Sequence, residues 1–350
     1  MDRDTLAGES EPREEPAGRD ASKRVARPRR RLPVLGADAE EAAASAGPGA
    51  RAGEQAGPGS RPHGLEPGVA GPRPVAEDRT AASRHPSAAP PLEGVRHVVA
   101  VSSGKGGVGK STVSVNLAAT WAAGGKRVGL MDADIYGPDI PAMFGLHEKP
   151  RMSDQLVVPL EAHGVKLMSL GFLVEEDTPA IWRGPIVMGI VRQFLHQVSW
   201  GELDYLLVDL PPGTGDAQLS LCQLVRVSGA VMVTTPQDVA VSGVLKGIRM
   251  FQKVEVPVLG LVENMRGFAC PGCGEVHEIF GSGGGEKLAA ALEVPFLGSV
   301  PLGMAVREAG DRGMPTVVSA PDSPEGKAFA AVAGATAERI RERAASTVAG

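Results

Sequence analysis

The most chemically specific stretch of this 350-residue chain is Gly104-Lys105-Gly106-Gly107-Val108-Gly109-Lys110-Ser111-Thr112, which fits G-x-x-x-x-G-K-[ST]. Each residue type has a physical reason to be there if the task is to hold phosphate. The glycines let backbone N–H groups turn inward around phosphate oxygens with no side chain in the way. Lys110 can offer its ammonium to terminal phosphates, and Ser111 its hydroxyl to Mg²⁺. A helix beginning at Thr112 adds the positive end of its dipole. The apolar run His97–Val101 before the loop and the helix-length stretch Thr112–Ala123 after it are the flanks such a loop requires.

Carboxylates follow at the ends of two further apolar runs. Asp132-Ala133-Asp134 comes directly after Val128–Met131, and two carboxylates at i and i+2 on an extended segment face the same side. Leu206-Leu207-Val208 runs into Asp209, placed to hold Mg²⁺ through water, because Mg²⁺ keeps much of its hydration. Taken singly, each Asp could equally cap a helix or a turn. Three of them at strand ends behind a phosphate loop point to one site. Pro211-Pro212-Gly213-Thr214-Gly215-Asp216 reads as a switch segment, stiff at its entry, in which the Gly213 N–H can sense a γ-phosphate. Asn264, in Glu263-Asn264-Met265, closes the run Leu259–Val262, where forming a turn is its plain alternative role.

Cys270-Pro271-Gly272-Cys273-Gly274 brings two thiols into one tight turn, which Gly272 and Gly274 relieve. Three readings stay open. A redox dithiol wants a thioredoxin-like βαβ setting. A structural zinc site wants four ligands, and only His277 lies near the pair. A cluster or metal shared across a symmetric dimer gathers four thiolates, two from each chain. His277 reads as a surface residue, and Cys222, inside Leu219–Leu224, as a small apolar filler.

The elements that position these groups are legible as short apolar runs: Val128–Met131, Tyr205–Val208, Ala230–Thr234, Val258–Val262 and Phe296–Val300, with Val165–Leu170 a weaker addition. Helix-length stretches separate them, including Ile186–Val198, Ala217–Val227, Val239–Val254 and Gly285–Leu292. The alternation predicts an α/β fold over residues 92–350, with a mostly parallel central sheet covered by helices on both faces. A last helix, roughly Pro324–Ala345, is expected to pack on that sheet. Residues 1–91 differ: they hold 13 of the 29 prolines and 11 glycines but none of the 13 aromatics, the first of which is Trp121. Such a segment cannot bury enough apolar surface to offset chain entropy, so a disordered tail is expected. Its 14 basic and 14 acidic residues cancel, so the formal charge of −5 belongs to the remainder. That mild acidity argues against a nucleic-acid grip. No apolar run approaches the ~20 residues of a membrane span, and Met1–Asp20 lacks the pattern of a secretory signal. Three cysteines, an odd number, point to a reducing, cytoplasmic setting.

Lys105, directly after the first glycine, gives the variant K-G-G-x-G-K-[ST]. Here the chain resembles the deviant Walker A group of dimeric ATPases, which includes the MinD/ParA proteins, nitrogenase iron protein and the Mrp/ApbC carriers. The resemblance implies that Lys105 reaches the phosphates bound by the facing subunit, a cation supplied in trans as the γ-phosphate departs. It narrows to the Mrp/ApbC-type iron–sulfur cluster carrier ATPases over about Val95 to Pro315. It does so on Asp134-Ile135-Tyr136-Gly137-Pro138, Trp182-Arg183-Gly184-Pro185, Trp200–Tyr205 running into Asp209–Asp216, Thr235-Pro236-Gln237-Asp238, Glu263-Asn264-Met265 and the cysteine pair. That likeness implies a P-loop NTPase fold, ATP binding with slow hydrolysis, and a homodimer. It also implies a labile [4Fe–4S] cluster held by Cys270 and Cys273 of two subunits and passed to apo-proteins; from the charge and the apolar runs, no membrane or nucleic-acid partner is expected. By the same resemblance Asp134 orients the attacking water, Asp132 supports the Mg²⁺ shell beside Ser111 and Asp209, and Asn264 reads the adenine edge. The chain departs from the pattern at Gly243 and Gly303, where an acidic residue is expected, and in its tail, where many bacterial relatives carry a small folded domain. Two other readings stand beside this one: a MinD/ParA-like regulator without a cluster, and a zinc-bridged ATPase dimer.

Overall fold

Neighbouring residues of the apolar runs go to opposite faces of a sheet, and each face is covered. The computed structural model describes residues 89–134, 137–173 and 184–349. The tail expected to be disordered lies, through residue 88, outside the described residues, as do Ile135, Tyr136, Trp182 and Arg183 of the motifs above.

In chain order, β1 (Val95–Ser103) leads through the phosphate loop into α1 (Lys110–Ala123) and β2 (Val128–Asp132). A short α2 (Ile140–Met143) and three short strands, β3 (Arg151–Ser153), β4 (Leu156–Val158) and β5 (Leu160–Ala162), precede β6 (Val165–Ser169). Then come α3 (Gly184–His196), β7 (Leu203–Asp209), α4 (Asp216–Leu224), β8 (Gly229–Thr234) and α5 (Asp238–Lys253). β9 (Val258–Ala269), β10 (Val276–His277), α6 (Gly284–Ala291), β11 (Phe296–Leu302), α7 (Met304–Asp311), α8 (Thr316–Ser319) and α9 (Pro324–Ala349) complete the chain.

The main sheet runs β10-β9-β8-β1-β7-β2-β6-β5, with β11 also paired to β9. Only the β5–β6 and β9–β10 pairs in it are antiparallel. Val99, Val101, Leu130, Leu207 and Val231 face a layer built from α1 and α9, through Leu117, Trp121, Phe329 and Val332. Their neighbours Val98, Ala100, Met131, Leu206 and Met232 face α3, α4 and α5, through Val191, Phe194, Leu221 and Phe251. This period-2 division is what two-sided burial of parallel strands demands. Trp121 Nε1 donates to the Ala333 carbonyl at 3.0 Å, tying α1 to α9. Before β1, Ala89 is already buried, and the Pro90 carbonyl accepts from Arg226 N at 2.8 Å. Among the described residues no helix is long and apolar enough to cross a membrane.

β9 does not close at Asn264, as the apolar run suggested. It pairs with β8 only as far as Thr234 opposite Glu263, then continues to Ala269 and pairs there with β10. Asn264 is therefore an interior strand residue rather than a turn. The strand bends on the way, with positive φ at Met265 and Gly267. The overhang carries the cysteine turn beyond the carboxyl edge of the sheet, the edge on which the phosphate loop lies.

Candidate functional site

Strand register assembles the site. Asp132 at the end of β2 lies opposite Asp209 at the end of β7 on one side and Ser169 at the end of β6 on the other. Asp209 in turn lies opposite Val101, two residues before the loop's anchor at Ser103. The expected carboxylates thus meet the loop because β2, β6 and β7 end level and β1 runs two residues further into it.

The loop's own backbone fits its proposed use. Gly109, the N-cap of α1, has φ 79, and a Cβ there would also lie 2.1 Å from Asn264 Nδ2, so glycine alone suits the position. Gly104 is excluded from carrying a side chain by contact instead: its Cβ would lie 2.0 Å from the Gly243 carbonyl carbon and 2.1 Å from Val244 N. The backbone of α5 rests directly on the loop, which gives a structural reason for glycine at 243. Gly106 and Gly107 sit exposed at the outer rim, and Val108 is buried beneath.

Lys110 is buried, with Nζ 2.5 Å from Asp209 Oδ2 and 3.5 Å from Asp134 Oδ2. Ser111 Oγ donates to Asp209 Oδ2 at 2.7 Å, and Ser114 Oγ to Asp209 Oδ1 at 2.5 Å. Burial works to lower the Lys110 pKa, but Asp209, with Asp134 and Asp132 behind it, outweighs burial and holds it above the ordinary lysine value. Asp132 accepts from Ser169 Oγ at 2.8 Å and from Asp134 N at 3.1 Å. Burial, then the neighbouring Asp209 charge, push its pKa well above the usual carboxylate range. A hydroxyl and a carboxylate within hydrogen-bond reach form an oxygen donor set that suits Mg²⁺, which binds few protein groups and keeps water and phosphate oxygens. Asp209 and Ser111 would hold it, with Asp132 alongside.

The remaining loop partners are placed as follows. Asn264 is buried and one of its N–H groups donates to the Val108 carbonyl at 2.9 Å, so the amide expected at the adenine edge grips the loop itself. The Gly213 N–H, expected to sense a γ-phosphate, donates to the Ser103 carbonyl at 2.8 Å. Lys105 Nζ lies 3.5 Å from Gln237 Oε1, just before α5. Thr112 lines a cavity of about 300 Å³ shared with Asn116, Asp139, Met143, Val306 and Arg307. At Gly303, a Cβ would fall 1.4 Å from Glu325 Oε1, so the α9 carboxylate already fills that space.

Cys270 and Cys273 sit at the tip of the β9–β10 hairpin, Cys273 exposed and Cys270 partly so. Cys270 N donates to the Glu275 carbonyl and Gly274 N to the Cys270 carbonyl, both at 2.8 Å, closing the turn. The N–H groups of Cys273 and Gly272, then the Cys273 thiol, hydrogen-bond to the Cys270 sulfur and hold its pKa below the ordinary thiol value. A hairpin is not the βαβ setting of a redox dithiol. His277 turns toward Glu275, its Nε2 3.9 Å from the carboxylate. Among the described residues no group of three or more His, Cys, Asp or Glu is placed to hold a metal ion. The buried Cys222 packs as filler, its thiol pushed up to about 12 by burial.

Sequence reasoning missed four residues. Ser114 holds Asp209 from one turn beyond Lys110, a spacing that was visible. Ser169 supports Asp132 from the end of a weakly marked strand. Glu263 accepts from Gly283 N at 2.9 Å and Gly285 N at 2.6 Å, fixing the start of α6 from β9. Gln218 holds the switch segment, donating to the Pro211 and Gly213 carbonyls.

A family profile described as ParA, the NUBPL iron-transfer P-loop NTPases, matches residues 94–337. A Mus musculus protein named iron-sulfur cluster transfer protein NUBPL is 53% identical over 254 residues, 72% of this chain and 80% of that one. A Pseudomonas fragi iron-sulfur cluster carrier protein is 53% identical over 238 residues, 67% of this chain and 83% of its own. Among solved structures, an Archaeoglobus fulgidus nucleotide-binding protein in complex with ADP is 43% identical, with a TM-score of 0.58, covering 64% of this chain and 89% of that one. Pyrococcus furiosus MinD, 21% identical with a TM-score of 0.53 over 69% of this chain and 99% of its own, shares the fold. The phosphate loop, the level strand ends and the cysteine hairpin are therefore those of a member of the ParA-type family of NUBPL iron-transfer P-loop NTPases.

Proposed function

We propose that this chain is an ATP-hydrolysing iron–sulfur cluster carrier that works as a homodimer in a reducing compartment, without a membrane or nucleic-acid partner. Two copies would pool four thiolates, Cys270 and Cys273 from each, around a [4Fe–4S] cluster that is cargo for apo-proteins. The observation that carries this reading is a half-site: two thiols on one turn, Cys273 exposed and Cys270 partly exposed and already acidified by backbone N–H groups, with no third ligand among the described residues. A second copy is the simplest source of the missing ligands.

The phosphates of ATP would lie along Gly104–Thr112, with Lys110 turned from Asp209 toward the terminal phosphates. Mg²⁺, when bound, supplies charge compensation at those phosphates. Asp134, 3.5 Å from Lys110 Nζ, would orient the attacking water. The nucleoside would leave the loop at Thr112 into the adjoining cavity. Lys105 would swing from Gln237 to the facing subunit's nucleotide. Asn264 lies on β9 and Cys270 directly follows that strand's last residue, Ala269, so the loop that Asn264 grips and the cysteine turn are joined by a single stretch of chain on the order of 20 Å long.

The test is anaerobic reconstitution with iron and sulfide, read by absorbance at the thiolate-to-iron band and by particle mass, for wild type, Cys270→Ala and Cys273→Ala. The expected result is iron uptake by a dimer and none by either variant. Equal uptake in all three removes the carrier reading, and zinc in place of iron after anaerobic purification favours the bridged-zinc dimer.

A further inference from the structure

Gln218 stands near the start of α4, fully buried. Its amide nitrogen donates twice, to the Pro211 carbonyl at 2.7 Å and the Gly213 carbonyl at 3.0 Å. Those carbonyls bracket Pro212, so one carboxamide grips the switch segment on both sides of its stiff centre. They also fix which end of the amide is nitrogen, since an oxygen there would face two acceptors. The other end, Oε1, is buried and has no hydrogen-bond partner among the described residues. A fully satisfied amide would be plain scaffold. One with a buried, idle acceptor is only half served by this register of the loop.

The grip bears on the neighbouring N–H. Gly213 donates to the Ser103 carbonyl, and its φ of 94 is a conformation from which a glycine can turn without a side-chain clash. A bond to Ser103 and a bond to a γ-phosphate are exclusive uses of one N–H. We infer that Gln218 is the latch of this switch: by holding the Pro211 and Gly213 carbonyls it keeps the Gly213 N–H on Ser103, and a third phosphate must release it. Once the loop moves, Oε1 can accept one of its N–H groups. Gln218 is thus a positioning residue that sets the discrimination between nucleoside di- and triphosphate. The inference rests on the nucleotide-binding part of the proposed function and is independent of the cluster.

The experiment measures dissociation constants of Mg-ADP and a non-hydrolysable Mg-ATP analogue for the full chain, Gln218→Met and Gln218→Asn. Methionine keeps the length without the amide; asparagine keeps the amide but is one methylene short of bridging both carbonyls. Either variant is expected to bind the triphosphate analogue about tenfold more tightly than wild type, with ADP within twofold. A merely structural role would weaken both nucleotides together, and that result overturns the latch, as does an unchanged ratio or the failure of both variants to fold. If one variant folds, it decides alone. Wild type that binds neither nucleotide overturns the nucleotide reading and the latch with it; wild type that binds both, matched by the variants, overturns the latch only.

Discussion

Lys110 Nζ and Asp209 Oδ2 lie 2.5 Å apart, both side chains buried, and the same carboxylate takes hydrogen bonds from Ser111 and Ser114. The cation proposed to meet phosphate is therefore parked on the carboxylate proposed to hold Mg²⁺. Each compensates the other's desolvation, and Asp132 and Asp134 add negative charge around one ammonium.

Removing that ammonium leaves three carboxylates sharing one corner without a counter-charge. Breaking a buried pair from one side is far more harmful than never having built it. Lys110→Ala is expected to lower unfolding free energy by about 3 kcal/mol, measured by denaturant titration without nucleotide. Nucleotide titration of the same variant should show lost affinity, and a variant as stable as wild type would sink this account of the pair.

Asp132 gives the site a pH signature. Its pKa is raised well above the ordinary carboxylate value, by burial first and by Asp209 second, against the pull of Ser169, Lys110 and the Asp134 N–H. Between about pH 4, where a free Asp ionises, and the raised folded value, the native state holds a proton the unfolded chain has lost. Stability should then fall as pH rises through that window and level off above it. Asp132→Asn is neutral throughout and should exceed wild type in stability at pH 8, with the gap closing toward pH 4. Urea denaturation across that range, without Mg²⁺ or nucleotide, checks the sign; a gap that widens on acidification would contradict it.

The parallel sheet and the loop were legible because each depends on local pattern: apolar runs of strand length, and glycines fixed by backbone geometry. The strand ends of β2 and β7 were legible for the same reason. What the sequence hid lies where contacts are long-range or the period breaks. The apolar run marks β9 only to Val262, with Asn264 closing it, because Glu263 and Asn264 are polar, yet both are buried, satisfied by Gly283 and Gly285 on one side and Val108 on the other. Met265 and Gly267, with positive φ, then interrupt the alternation that would have marked the extension to Ala269. Gln218 was silent for a different reason: its carbonyl partners carry no side-chain signature at all.

The three thiols should separate by reactivity. Cys222 is buried with its pKa pushed up to about 12, whereas Cys270 is accessible and acidified by local N–H groups. A thiol reagent at pH 7 should modify two cysteines in the native apo-protein and the third only in denaturant. Cys270→Ala should remove the thiol that still reacts as the pH is lowered. Cys222→Ala should cost about 1 kcal/mol through a small cavity and leave iron uptake intact. Three fast thiols would place Cys222 outside the core.

Gly303 and Glu325 form a pair that neither residue reveals alone. The Glu325 carboxylate fills the volume a side chain at 303 would need, with Oε1 1.4 Å from the position of a Cβ. Gly303→Ala should therefore destabilise by roughly 1–3 kcal/mol, the range for inserting a methyl group into filled space. The clash is with a side chain rather than backbone, so it can be relieved from the other partner. Gly303→Ala with Glu325→Ala should recover most of the loss, giving a coupling energy of about 1 kcal/mol or more in a double-mutant cycle. Additive losses in that cycle would mean that Gly303 is required by its backbone and not by the carboxylate beside it.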